Sequence, residues 1–170
     1  MRSSLPNLAT DTISLRAWTE HDVDTLVNAC NNSALRAQLG LPEPYTAQHA
    51  HDYVTHCAAG WESGDQFTFA VADLRSGTVR GSVRVGPSPH GATAGYWTAA
   101  WARRRGIASG ALRLVSAWAI ESGLSPIRLY IAPDNIASQA VARSAGYRHD
   151  ENGTILDPEG MPGDQVFIRL

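Results

Sequence analysis

The sequence predicts an α/β domain of the α+β kind, built on a mixed, mostly antiparallel sheet of about seven strands. Three observations predict it. The chain has 170 residues, which suits one domain with a full core. Its middle alternates short apolar runs with Gly- and Pro-rich turns, as an antiparallel meander does. Its last part alternates apolar runs with helix-periodic segments, which joins strands through helical crossovers.

Residues 1–11 read as a flexible arm, and residues 12–170 as the domain. Ile13 to Trp18 alternates sides and predicts a strand. Thr19-Glu20-His21-Asp22 predicts a capping box, with Thr19 accepting from first-turn amides. A helix to about Cys30 follows, its buried stripe being Val23, Leu26, Val27 and Cys30. A short helix over Ala34 to Gln38 stops at Gly40. Leu41-Pro42-Glu43-Pro44 is a rigid loop, because each Pro disfavours helix at the residue before it. Thr46 caps a helix over Ala47 to Ser63, which buries Ala50, Tyr53, Val54, Cys57 and Trp61.

Strands are expected at Phe67–Ala72, Val79–Val85 and Thr93–Thr98, with turns at Arg75-Ser76-Gly77 and over 86–91. Gly81 marks a bulge or a close backbone approach. A helix from about Gly106 to Ser122 buries Ile107, Leu112, Val115, Ala119 and Ile120, and Gly123 ends it. A strand at Ile127–Ile131, a helix at Ile136–Ala145 and strands at Tyr147–Asp150 and Gln165–Leu170 complete the chain. The last two strands are joined by a Gly/Pro-rich turn over Asp157 to Gly163.

Composition narrows the function classes. Apolar residues are 44% and charged residues 18%, so the chain is globular and not disordered. A net charge of −2 gives no basic field for nucleic acid or an anionic membrane. All 14 basic residues are Arg, which reads as the codon bias of a GC-rich, bacterial genome. Cys30 and Cys57 have no CxxC or Cys/His spacing around them, so they read as reduced packing residues, with no metal expected. The polar start has no apolar signal-peptide region, and no apolar run reaches the ~20 residues of a membrane span. A cytoplasmic location is expected.

One stretch carries chemistry, Gly95-Tyr96-Trp97-Thr98 through Arg103-Arg104-Arg105-Gly106-Ile107-Ala108. A strand ends, a loop turns and a helix begins, with Arg103-x-x-Gly106-x-Ala108 inside the turn. First-turn helix amides lack intrahelical acceptors, and the helix dipole adds positive charge there. Backbone N–H groups can therefore hold a pyrophosphate. Gly106 and Ala108 let phosphate oxygens approach, and the three arginines add charge. Taken alone, the pattern also suits an ordinary helix start with a solvated cap. It is neither a Walker motif nor a dinucleotide fingerprint.

This segment resembles motif A of the GNAT acetyltransferases, Gln/Arg-x-x-Gly-x-Gly/Ala. Asp134-Asn135-x-x-Ser138-x-x-Val141-x-x-x-x-Gly146-Tyr147 is similar to the family's motif B, at typical spacing from the first. Gly95-Tyr96-Trp97, the helix with Trp118-Ala119 and the tail Asp164 to Leu170 resemble the RimJ/RimL-like branch. The resemblance covers residues 12–170. It implies a GNAT-type sheet, splayed near its middle, with helices on both faces.

It also implies acetyl-CoA as co-substrate and an N-acetyltransferase reaction on an amine acceptor. Tyr96, Trp97 and Thr98 occupy the strand that pairs with the pantetheine arm. Arg103, Arg104, Arg105, Gly106, Ile107 and Ala108 hold the pyrophosphate, and Asn135 bonds the arm or simply caps its helix. Many members take the thiolate's proton from a Tyr seven residues after the Asn. That position is Ala142 here, so Ser138 stands as the general acid or as a small packing residue. The usual Glu two residues before Gly95 is Thr93, leaving a water chain or Glu43 as base. His49, His51 and His56 share a helix and read as surface residues. Trp61 and Trp101 read as core or cofactor-cover aromatics, Trp18 as packing or an acceptor wall. The carboxylates of Glu20, Asp22, Asp24, Glu43 and Asp52 either ring an acceptor pocket or are solvated. The acceptor is a protein N-terminal amine or a small amine, antibiotics included, and a homodimer is possible. Ala142 and Thr93 leave open a non-catalytic acyl-CoA sensor on the same scaffold. A phosphate-binding domain of another kind is the third reading.

Overall fold

In the computed structural model, which describes residues 6–151 and 160–170, eight strands form one open sheet in the order β1-β2-β3-β4-β5-β6-β8-β7. They are β1 Leu8–Ala9, β2 Ile13–Arg16, β3 Phe67–Asp73, β4 Val79–Ser88, β5 Gly91–Thr98, β6 Ile127–Ile131, β7 Arg148–Asp150 and β8 Gln165–Arg169. The α-helices among the described residues are α1 Val23–Cys30, α2 Ser33–Leu39, α3 Ala47–Ser63, α4 Ile107–Glu121 and α5 Ile136–Ser144. The β5–β6 pair alone is parallel among the pairings of these strands. Parallel neighbours need a long crossover, and α4 supplies it. β8 inserts antiparallel between β6 and β7, which α5 connects.

Successive residues of β3 serve two cores, because side chains alternate across a strand. Phe69 and Val71 join Leu112, Val115 and Ala119 of α4 on one face. Ala70 joins Leu26, Leu35 and Val54 of α1, α2 and α3 on the other. Helices therefore cover both faces. Each fully buried Phe, Leu or Val stabilises by about 1.5–3 kcal/mol. Trp61 closes the first core, its ring 4.9 Å from those of Phe67 and Phe69 and 5.8 Å from Trp118.

Two expectations change. Leu8 and Ala9, inside the expected loose arm, pair with Leu15 and Ser14 as an eighth strand; residues 1–5 lie outside the described set. The second hairpin is tighter than a turn over 86–91, since pairing continues to Ser88↔Gly91 and only Pro89-His90 turns. Gly91 permits this with φ +123°, and a Cβ there would lie 2.3 Å from the Pro126 carbonyl oxygen. At the first helix the expected capping box is present between Thr19 and Asp22. The Thr19 carbonyl accepts the Asp22 N–H at 2.9 Å, the Thr19 N–H and Oγ1–H donate to the Asp22 carboxylate at 2.9 and 3.0 Å, and Asp22 also takes both arms of Arg16 at 2.8 Å. A 3-10 turn over Glu20–Asp22 therefore precedes α1. The turn over 157–163 begins outside the described residues. Gly81 is a close approach, as expected: a Cβ there would sit 2.3 Å from the Trp97 carbonyl oxygen, opposite a register shift at Val71/Ala72.

Candidate active site

The sheet opens in its middle. β5 pairs with β4 along its whole length, from Ser88↔Gly91 to Gly81↔Thr98. Its pairing with β6 stops after Ala92↔Ile127 and Thr93↔Arg128. Beyond Thr93 the β6-facing edge of β5 has no strand beside it. Backbone donors and acceptors inside a fold need partners, so such an edge suits an extended ligand that adds as a strand does. A cleft of about 480 Å³ lies there, and Tyr96, Trp97 and Thr98 of β5 line it.

The start of α4 forms one wall, with Arg103, Arg104, Gly106, Ile107, Ala108 and Ser109. Gly106 is the N-cap at φ +70°, and it has no side chain to satisfy the first-turn donors. The first intrahelical bond runs from Gly110 N–H to Gly106 O at 2.9 Å. The N–H groups of Ile107, Ala108 and Ser109 are thus left over by the helix. Arg104 sits at φ +61°, the one non-glycine with positive φ among the described residues. That conformation costs about 1–2 kcal/mol. Left-handed residues next to an open helix start give a concave array of N–H groups that suits an anion. Arg105 does not line the cleft, unlike its two neighbours.

The N-terminal end of α5 forms the opposite wall. Asn135 Oδ1 accepts from Ser138 N–H at 3.1 Å, so the helix-capping role of Asn135 is present. Ser138 Oγ lies 2.6 Å from the Tyr96 hydroxyl, which is also 3.1 Å from the Ser138 carbonyl oxygen. Burial raises the Tyr96 pKa, and the bond to Ser138 opposes this only in part. Ala142 is wholly buried, so no hydroxyl arrives from that position.

These features meet in one known arrangement. A family model for the acetyltransferase (GNAT) domain matches residues 12–148. The chain belongs to the GNAT acetyltransferase family. It is an N-acetyltransferase by class. An acetyltransferase from Agrobacterium tumefaciens str. C58 superposes with a TM-score of 0.79 at 23% identity, over 99% of this chain and 96% of that one. RimJ of Mycobacterium smegmatis, in complex with CoA-disulfide, gives 0.75 at 21% over 92% and 80%. RimL, the ribosomal L7/L12 alpha-N-protein acetyltransferase, in complex with coenzyme A, gives 0.76 at 21% over 95% of both chains. At these identities the likeness is one of fold. No curated protein matches the sequence significantly.

The other polar groups named from the acetyltransferase's sequence do not gather in the cleft. Glu43 is bound by Arg36 at 2.5 Å and lies outside it. Glu20 pairs with His51, Asp22 with Arg16, and Gln48 donates to Asp52 at 2.9 Å. Asp24 lies with Asn28, Arg80 and Trp101 in a separate shallow hollow. No carboxylate lines the cleft among the described residues. His49 Nδ1 accepts the Thr46 N–H at 3.0 Å, a cap role. Trp101 is 36% exposed and is not a core residue, whereas Trp18 is buried and stacks on Trp97 at 6.2 Å. Thr93 is buried at the last β5–β6 pair. Sequence reasoning missed Ala34 and Gln38, which α2 brings to the cleft. Nothing local marks them, since their place depends on how α2 docks. Ala137 and Val141 were within reach, being helical neighbours of Ser138.

Proposed function

We propose that this acetyltransferase moves the acetyl group of acetyl-CoA directly to a primary amine. One observation carries the reading: the gap in the β5–β6 ladder opens onto the uncapped start of α4, within one cleft. A pantetheine arm suits the gap, and a pyrophosphate suits the N–H groups of Ile107 and Ala108 at Gly106, with Arg103 and Arg104 beside it. Arg105 acts through long-range charge. Asn135 caps α5 and faces the arm.

In the reaction a neutral amine attacks the thioester carbonyl, and the C–N bond forms as charge builds on oxygen. Collapse breaks the C–S bond, and its electron pair stays on sulfur. In this reading Ser138, which lines the cleft, hands its Oγ–H to sulfur while Oγ takes the proton released by the new ammonium. No proton is gained or lost overall, and holding both substrates in one cleft supplies the proximity.

A cleft without carboxylates among the described residues suits a singly charged or weakly basic amine better than a polycationic antibiotic. The RimJ- and RimL-like fold makes a protein N-terminal amine the first acceptor to test, with small amines next. We place the enzyme in a bacterial cytoplasm, as a monomer or homodimer. Calorimetric titration with acetyl-CoA, then CoA-thiol release across N-terminal peptides and small amines, tests the reading. Ser138→Ala is expected to lower turnover at least tenfold while acetyl-CoA affinity changes less than threefold. Tight acetyl-CoA binding with no product from any amine, and no effect of Ser138→Ala, would favour the sensor reading that Ala142 and Thr93 motivate.

A further inference from the structure

We propose that Tyr96 is a positioning residue that aims the Ser138 hydroxyl at the sulfur of the bound co-substrate. The proposal rests on the reading that acetyl-CoA occupies the cleft. A serine hydroxyl has one proton and two lone pairs, and it rotates freely unless something fixes it. On a helix it commonly turns back to the carbonyl one turn earlier. Ser138 instead has its Oγ 2.6 Å from the Tyr96 hydroxyl. The phenol has one proton, and its acceptors within reach are this Oγ and, farther away at 3.1 Å, the carbonyl oxygen of the same residue. Before the co-substrate binds, both contacts are made when the phenol donates to the carbonyl and Oγ–H donates to the phenol oxygen. With sulfur in the cleft, the phenol proton turns along the shorter contact, where it fills one lone pair of Oγ. The Ser138 proton then cannot point at Tyr96, and it turns into the cleft that both residues line.

Both partners are held from outside the contact. Tyr96 stands opposite Val83 in the β4–β5 ladder, and the Ser138 N–H is fixed by Asn135. Burial disfavours the tyrosinate, so the phenol keeps its proton and serves as a steady donor. A hydroxyl that accepts such a bond is also a better donor in turn. During the step Oγ–H goes to sulfur, Oγ receives the ammonium proton on its second lone pair, and the Tyr96 bond stays in place. This gives a β5 side chain a role in the chemistry, apart from the backbone of that strand.

The test needs no acceptor. The thiol of bound CoA is titrated by its thiolate ultraviolet absorbance in the wild type, Tyr96→Phe, Ser138→Ala and the double variant. A charge-assisted bond to the thiolate is expected to raise the bound thiolate-to-thiol ratio about tenfold. Ser138→Ala and Tyr96→Phe should each remove most of that rise, and the double variant no more than either alone. Ser138→Thr, which keeps the hydroxyl, should titrate as the wild type does. Acetyl-CoA affinity, measured alongside, should move less than threefold in every variant. A wild-type titration in Tyr96→Phe would overturn the proposal while leaving acetyl-CoA binding intact. So would a Tyr96→Phe effect that persists in the Ser138→Ala background, or a loss of acetyl-CoA affinity with no change in titration. Failure of the wild type to bind CoA would overturn this proposal and the function beneath it together.

Discussion

Gly106 offers a direct test of the anion cradle. A Cβ built at this position meets nothing within 4 Å, so no packing contact requires glycine. What requires it is φ +70° and the open space above the first turn of α4. Gly106→Ala should therefore cost only the left-handed strain, about 1 kcal/mol. In a chain of this size that lowers Tm by about 2–4 °C. Gly106→Glu carries the same strain and adds a carboxylate to the cradle. At about 6 Å and an effective dielectric of ~20–40, each phosphate charge repels it by roughly 1.4–2.8 kcal/mol. One such repulsion weakens acetyl-CoA about ten- to hundredfold, and two weaken it about a hundredfold or more. Calorimetry at low and high salt, beside thermal melts of both variants, reads these effects apart. The Glu variant should melt within a few degrees of the Ala variant and bind at least tenfold more weakly, with a gap that narrows as salt rises. If folded Gly106→Glu binds acetyl-CoA within twofold of Gly106→Ala, the pyrophosphate does not lie at this helix start.

Arg104 and Arg105 should separate. Arg104→Ala should weaken acetyl-CoA about three- to tenfold, Arg105→Ala less than twofold, and calorimetry of each decides whether lining the cleft is what matters. Gly81→Ala should destabilise by about 1–3 kcal/mol, because the new methyl falls 2.3 Å from the Trp97 carbonyl oxygen and the β4–β5 pair must shift; a urea midpoint equal to the wild type would contradict that approach. Asp22 carries a pH dependence. Burial pushes its carboxyl up, but the Arg16 and Thr19 bonds outweigh this and hold it below the usual range. Its stabilisation is therefore present above the unfolded value of about 3.9 and is lost as pH falls through the folded one. Urea midpoints between pH 6 and 2 should fall less steeply in Asp22→Asn than in the wild type, from a lower starting stability.

The sequence made most elements legible, because periodicity and caps are local. Val23, Leu26 and Cys30 fall on the buried stripe of α1, and Asn135 caps α5 as its residue type suggested. Local signals failed where a distant group took over. Thr19 opens a capping box as its residue type suggested, but nothing local marks the Arg16 guanidinium that also claims Asp22. Trp101 looks like core, yet the turn into α4 leaves it partly exposed above Asp24 and Arg80. The carboxylates of the first helices look like a pocket rim, but Arg16, Arg36, His51 and Gln48 each claim one.

The cleft shows the same division within single residues. Parity along β5 tells that Tyr96 and Thr98 share a face, and motif spacing tells that Ser138 starts a helix. Neither tells that the two hydroxyls meet. Between them lie the whole crossover α4, strand β6 and the turn into α5, and 42 positions of sequence separate the partners. The contact exists because β5 and β6 part after Thr93, which lets the α5 start come alongside the face that Tyr96 presents. A fully zipped β5–β6 ladder would leave the backbone edge no gap to offer a pantetheine arm. The splay that opens the cleft is thus also what brings a β5 phenol to an α5 serine. A helix that lacks a hydroxyl at Ala142 gains one from across the gap.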